Sequence, residues 1–182
     1  MGSESPRFPV LAAGFEAPLE MLAACHSRIR TQCATLLRLR SHVATRGPDA
    51  AARNSARGIM RYFDTAARDH HEDEEQDLFP ALLESMAGSD PVCIRQLIDS
   101  LTNDHRELEH LWGNVRSWLV AIEAGDVAAP ASGDIDPFVD LYERHATREE
   151  QELLPMAMRL LGTSELDQIG QSMRLRRGIT SV

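Results

Sequence analysis

Apolar residues recur at steps of three and four along most of the chain, which is the spacing that places them on one face of an α-helix. Four such stripes follow one another. The first begins near Pro18, a residue suited to a first helical turn, and the second follows Asp49, which suits an N-cap. The third and fourth follow Asp-Pro pairs at positions 90–91 and 136–137. The pattern therefore predicts four long helices.

Each stripe contains polar residues at positions where an apolar residue is expected. The predicted stripes are Leu19, Leu22, His26, Ile29, Cys33 and Leu36; Phe63, Ala67, His70, Glu74, Leu78 and Leu82; Ile94, Ile98, Leu101, His105, Leu108, Trp112, Val115, Leu119 and Ile122; and Phe138, Leu141, His145, Glu149, Leu153, Met156 and Leu160. A carboxylate buried without a partner costs several kcal/mol or is neutralised. We therefore expect a cation among these donors.

The donors of the second and fourth stripes belong to a repeated motif. Residues 70–80 read HHEDEEQDLFP and residues 145–155 read HATREEQELLP, and the two agree at six of eleven positions. Each copy holds a histidine and a glutamate four residues apart, which a helix places one turn apart on the same side. Such donors suit borderline divalent metals such as iron, manganese and zinc. A single histidine precedes each copy on the preceding helix, so the pattern indicates an internal duplication.

Four long amphipathic helices with short connections predict an all-α fold, an antiparallel up-down four-helix bundle. We expect a loose arm over residues 1–15, the bundle over residues 16–162, and a short fifth helix with a frayed tail over residues 163–182. The second helix is expected to run from Ala50 to Met86. Pro80 should kink it just past the motif, because proline removes a helical hydrogen bond.

Composition and charge limit the possible functions. The 182 residues are 43% hydrophobic and 26% charged, the balance of one ordinary globular domain. The net charge of −9 argues against nucleic acid or an anionic membrane as a partner, and no apolar run approaches membrane-spanning length. The N-terminus lacks the basic and apolar regions of a signal peptide. We expect a cytoplasmic protein; its oligomeric state is not readable from the sequence.

The set of donors resembles the hemerythrin-like, or HHE cation-binding, family over residues 16–162. The residues that carry the resemblance are His26, His70, Glu74, His105, His145 and Glu149. The resemblance implies a non-haem di-iron centre with two iron ions, which an oxo or hydroxo group can bridge, in preference to zinc or manganese.

The resemblance also assigns a role to each donor. It implies that Glu74 and Glu149 bridge the two ions. His26 and His70 would hold one iron, and the histidines of the third and fourth helices would hold the other.

Glu109 departs from the pattern of the oxygen-carrying members. Those hemerythrins place a second histidine one turn after the histidine of the third helix, and here that position is Glu109. We include Glu109 among the candidate metal ligands and leave His71 open as a further one. An extra carboxylate favours ferric over ferrous iron, which argues against reversible oxygen carriage.

Other metal sites fit the sequence less well. Ferritin-like bundles use Glu-x-x-His pairs on two helices, and only Glu107 and His110 have that spacing; the HExxH motif of zinc proteases is absent. Two function classes stay open. One is a binding protein that binds or responds to oxygen, nitric oxide or iron, and the other is a di-iron redox enzyme acting on peroxide or another small oxidant. Either takes a small diatomic or peroxide-type ligand.

Overall fold

The computed structural model describes residues 14–85, 92–126 and 131–180, and within these ranges all regular structure is helical. The prediction of an all-α fold is therefore confirmed. The elements are α1 Pro18–Arg46, α2 Ala50–Asp64, α3 Ala66–Asp73, π1 Glu74–Leu78, α4 Phe79–Ser85, α5 Val92–Ala124, α6 Ile135–Arg148, π2 Glu149–Leu153, α7 Leu154–Leu160 and α8 Thr163–Arg176. Among these helices, none combines the length and the apolarity needed to cross a bilayer.

The expected fifth helix is present as α8. Asp49 caps α2 as predicted, because its carboxylate accepts a hydrogen bond of 2.8 Å from the backbone N–H of Ala52. The Asp-Pro start signal at positions 90–91, the predicted helix end at Met86 and most of the N-terminal arm lie outside the described residues.

The second predicted helix is not continuous, and its first interruption is at Thr65. This residue leaves helical geometry, with φ −127° and ψ −83°. Its hydroxyl donates a hydrogen bond of 2.6 Å to the carbonyl of Arg61, and its N–H donates to Tyr62, three residues back. Threonine that bonds back to the preceding turn bends helices. The expectation of one helix from Ala50 to Met86 was therefore wrong at this point.

Both copies of the repeated motif contain a π-helix, where the sequence predicted only a kink at Pro80. The N–H of Phe79 donates to the carbonyl of Glu74, and the N–H of Leu154 donates to that of Glu149. Each bond spans five residues instead of four, so each segment holds one extra residue per turn. In an α-helix the proline ring would meet the carbonyl four residues earlier. The wide turn lies immediately before the proline and relieves this conflict.

The extra residue changes which side chains are buried beyond it. Every position predicted for the first three stripes is buried except Trp112, which is half-buried. On the fourth stripe the pattern holds as far as Leu153. Beyond π2 the buried residues are Leu154, Ala157 and Leu161, whereas the predicted Leu160 is exposed. The π turn rotates the following helix by about one residue, which the three-and-four spacing does not anticipate.

The described residues form two compact units, each with its own apolar core. The first comprises residues within 1–27, 69–102 and 146–182. The core of this unit is formed by both motif copies, by α8, and by the start of α1 and the start of α5. Its buried residues include Leu22, Leu78, Leu101, Leu153 and Met173. The predicted bounds of the bundle, residues 16–162, stay a prediction.

The second unit comprises Arg28–Arg68 and Asn103–His145, and it contains α2 and parts of α1, α3, α5 and α6. Its core holds an aromatic cluster in which the ring of Phe63 lies 4.9 Å from Trp112 and 5.1 Å from Phe138, centroid to centroid. Asp64 accepts hydrogen bonds of 3.0 Å from the indole of Trp112 and from Arg116. These contacts join α2 to α5 and α6.

Gly170 should be intolerant of any side chain, because a Cβ there would overlap the carbonyl oxygen of Phe15. Gly170→Ala should therefore lower the free energy of unfolding by about 1–3 kcal/mol, as overpacking does. Gly113→Ala is the matched control, since this exposed helical glycine has nothing within 4 Å of its Cβ position. The Gly113→Ala substitution should raise the free energy of unfolding by roughly 0.5–1 kcal/mol, because alanine has a higher helix propensity than glycine. Urea unfolding of both variants measures the difference, and a stabilised Gly170→Ala protein would contradict the packing described.

Candidate metal centre

Four of the predicted donors meet in the core of the first unit. His26 comes from α1, His70 from α3, and Glu74 and Glu149 are the first residues of π1 and π2. All four are fully buried. One potential ligand atom from each lies within 4.8 Å of the corresponding atoms of the other three. The structure thus gathers two imidazoles and two carboxylates around one point.

The histidines present the same ring atom to the carboxylates. Nε2 of His26 lies 2.8 Å from Oε2 of Glu149, and Nε2 of His70 lies 3.4 Å from Oε1 of Glu74. The two rings stand edge to face with centroids 5.0 Å apart. Each histidine and its carboxylate can therefore share one cation.

The π-helices help to set this geometry, because each starts at a glutamate of the cluster. Leu78 and Leu153, the last residues of the two π-helices, are buried like Glu74 and Glu149. Single π turns occur often at functional sites.

The electrostatics of the cluster favour a bound positive charge. Burial raises the pKa of Glu74 well above its ordinary value, and the nearby charge of Glu149 raises it further. Burial by itself would lower the pKa of His26, but hydrogen bonds to Glu149 and Glu150 outweigh that effect and raise it. The raised pKa values favour the protonated forms of Glu74 and His26 in the metal-free core, and a bound metal ion would displace these protons.

The donor set fits a transition metal. Imidazole nitrogens together with carboxylate oxygens suit iron, manganese or zinc, whereas calcium and magnesium prefer oxygen alone. His26, His70, Glu74 and Glu149 supply two donors of each kind and carry two negative charges when ionised. A divalent cation would neutralise those charges within the core.

Glu150 supports the cluster from outside. Its Oε1 lies 3.0 Å from Nδ1 of His26, and 30% of its side chain is exposed. A carboxylate on the far nitrogen of a ligating histidine fixes the ring and leaves the other nitrogen to the metal. Sequence spacing does not predict this contact, because the two residues are 124 positions apart.

The other two predicted histidines form a pair in the second unit. His105 and His145 are buried, with their Nε2 atoms 3.1 Å apart and their ring centroids 4.7 Å apart. Oδ2 of Asp104 lies 3.5 Å from Nδ1 of His145. Two buried imidazoles that present the same nitrogen to one another can also hold one cation.

Glu109 is not brought to the donors, which corrects the expectation that it is a metal ligand. Its side chain is 65% exposed and pairs with Arg106 at 3.3 Å. The buried residues of α5 recur in heptads, as Leu101, Leu108 and Val115 show. A seven-residue period keeps to one side of the helix, and Glu109 lies outside it. Its carboxylate therefore gives no reason to expect ferric iron.

His71 is half-buried and follows His70 on α3, with the two ring centroids 5.9 Å apart. Because it lies beside a donor, it stays a candidate ligand.

Asp73 was missed by the sequence reading, although it directly precedes a donor. Its side chain is fully buried and is paired with Arg176 and Arg177 at the end of α8. The basic residues at positions 174–177 gave no signal of a buried partner, because they lie about 100 positions away. Asp73 thus connects the end of α8 to the segment that carries Glu74.

Comparison with known proteins agrees with this arrangement. Residues 17–157 match the Hemerythrin HHE cation binding domain. An uncharacterized protein of Haemophilus influenzae is 30% identical over 176 residues, which cover 94% of this chain and 96% of that protein. The matched range contains His26, His70, Glu74 and Glu149 as well as the second histidine pair. The chain therefore belongs to the hemerythrin HHE cation-binding domain family, and its helical fold is a hemerythrin-type bundle.

Proposed function

We propose that this domain binds iron at a dinuclear non-haem centre and uses it to bind or respond to a small ligand such as oxygen or nitric oxide. The observation that carries the proposal is the buried cluster of His26, His70, Glu74 and Glu149, whose ligand atoms lie within 4.8 Å of one another. Two buried carboxylates in one core need a compensating cation.

The first ion would be held by His26 and His70 together with the two glutamates. His26 is already oriented for this role, because Glu150 is hydrogen-bonded to its other nitrogen. Each glutamate has two oxygens, so each can bind this ion and still offer an oxygen to a neighbour.

The second ion would be held by His105 and His145. Support comes from their buried, closely spaced Nε2 atoms and from the spacing of His145 and Glu149. These two residues are one helical turn apart on one run of helix, which favours a shared metal. Together with the carboxylates of Glu74 and Glu149, the four histidines would supply enough donors for two ions.

Iron agrees best with this donor set. Structural zinc prefers four closed ligands, often cysteines, whereas six imidazole and carboxylate donors form too large a set for one such ion. Iron accepts mixed nitrogen and oxygen ligands and leaves positions for an external molecule. When bound, it supplies a redox-active site for a diatomic ligand. The chain itself excludes water and orients the histidines, and full burial of the donors limits the ligand to a small molecule.

Metal content tests the proposal directly. Protein loaded with ferrous iron should hold about two ions per chain, an estimate from the number of donors. His26→Ala combined with His70→Ala should remove at least one, because it deletes both nitrogen donors of the first cluster. His110→Ala is the control, since His110 lies on the exposed surface. Metal analysis after desalting gives the counts.

Two results would contradict the proposal: full iron in the double variant, or no iron in the wild type. Anaerobic titration of the ferrous protein with nitric oxide should end at a fixed ratio to iron. Catalytic consumption of peroxide, many turnovers per iron, would instead favour the enzyme class.

Metal-free protein should lose stability as the pH rises. The folded-state pKa of Glu74 lies above its ordinary value of 4.5, so the folded state binds a proton that the unfolded state has released, and the free energy of unfolding falls above that pH. The pKa of His26 is raised above 6.5, so its contribution is complete below pH 6.5 and is lost as the pH rises through its folded value.

Bound metal replaces these protons, and the gap in melting temperature between loaded and chelated protein should therefore widen from pH 5 to pH 8. Thermal melts at several pH values measure it. A gap that is constant over this range would show that the two groups do not titrate with the metal.

Glu150 should set the affinity for metal without being a ligand. Glu150→Gln weakens the acceptor at Nδ1 of His26 and should lower metal affinity about 10- to 100-fold, the usual effect of losing such a partner. The metal count at saturation should be unchanged. Glu152→Gln is the matched control, because Glu152 is two residues away and exposed. Competition against a chelator gives both affinities, and equal values would contradict the role of Glu150.

A further inference from the structure

The end of α8 is attached to the segment that carries Glu74. Arg177 makes a two-pronged contact with Asp73, with Nη2 2.6 Å from Oδ2 and Nη1 3.1 Å from Oδ1. Arg176 also donates to Asp73. Asp73 is fully buried, the side chain of Arg176 is only 13% exposed, and that of Arg177 is only 17% exposed. A buried carboxylate held by two guanidinium groups is costly to break at one partner.

Arg176 reaches residues on both sides of Glu74. It donates hydrogen bonds of 2.8 Å to Asp77 and 3.2 Å to Gln76, and its Nε lies 3.6 Å from Oε2 of Glu72. These contacts span the start of π1, where the helix changes from α to π. One arginine therefore brackets the residue that supplies a carboxylate to the metal cluster.

The two neighbours Asp73 and Glu74 are directed to different partners. Glu74 lies in the metal cluster, while Asp73 is bound to the end of α8. The π turn that begins at Glu74 is an uncommon conformation. Contacts to Asp73 and Asp77, on either side of Glu74, would stabilise this turn and so fix the position of Glu74. The last turn of α8 is itself fixed, since Nη1 of Arg177 donates to the carbonyl of Met173 at 2.8 Å and Met173 is fully buried.

We propose that Asp73, Arg176 and Arg177 form a clamp that positions Glu74 and thereby slows the loss of metal from the centre. The clamp residues do not touch the metal; they act through the backbone of π1. This inference rests on the proposed metal-binding function and adds to it the group of residues that governs metal retention.

Metal release from the full chain tests the clamp. Wild type and Arg176→Ala/Arg177→Ala are loaded with ferrous iron, and iron transfer to a ferrous chelator is followed by absorbance. The double variant should bind the same amount of iron at saturation and release it about tenfold or more faster, the scale of effects from groups that orient ligands. Arg176→Lys/Arg177→Lys keeps the charge without the planar fork and should give an intermediate rate.

Arg174→Ala is the matched control. Arg174 is on the same helix, and its guanidinium lies over the ring of Phe15 at 5.4 Å, so this variant weakens the docking of α8 without touching Asp73. It should release iron at the wild-type rate. Acceleration equal to that of the double variant would overturn the clamp in favour of general docking of α8.

Asp73 provides a test that needs no arginine variant. Asp73→Asn should also accelerate release, which covers the case in which the double variant fails to fold. Wild-type protein that binds no iron would refute the proposed function itself. Iron-loaded wild type and variants with one common release rate would refute the clamp alone.

Discussion

Two carboxylates buried beside each other form the constraint on which the rest of this structure depends. Glu74 and Glu149 are fully buried in one core, and burying even one ion without compensation costs several kcal/mol. Two histidines lie within contact distance of these carboxylates, His26 beside Glu149 and His70 beside Glu74. Burial also raises the pKa of Glu74, which favours its protonated form. A divalent cation would satisfy the same requirement without protons, which favours a metal site in the core of the first unit.

The repeated motif solves a second problem, which is how a helix can present such a carboxylate and continue past a proline. In both copies the π turn begins at the glutamate and ends before the proline. The extra residue relieves the conflict between the proline ring and the carbonyl four residues earlier, and both the glutamate and the leucine that ends the π-helix are buried. Metal donor, π turn and proline are therefore parts of one local structure, and the spacing Glu-Glu-Gln-x-Leu-x-Pro encodes all three.

Helical periodicity predicted the side chains that face the cores, including all four buried histidines and both glutamates. It failed where the local geometry departs from an α-helix. The π turn shifted the buried positions from Leu160 to Leu161, and the hydroxyl of Thr65 broke a helix that the stripe pattern treated as continuous. Glu109 was included because it lies one turn after His105, at the position of the family's second histidine, but the buried side of α5 follows a seven-residue period and leaves Glu109 65% exposed.

Contacts between distant parts of the chain were beyond the reach of any spacing rule. Glu150 lies 124 positions from His26, and Arg177 lies 104 positions from Asp73. The two motif copies also differ at this point: Asp73 corresponds to Arg148 in the second copy, which donates a hydrogen bond of 2.8 Å to Ser100. Duplication explains the shared donors, but at this position only the first copy has a carboxylate. The segment that carries Glu74 therefore has ion pairs to the end of α8 that Arg148 cannot make in the second copy.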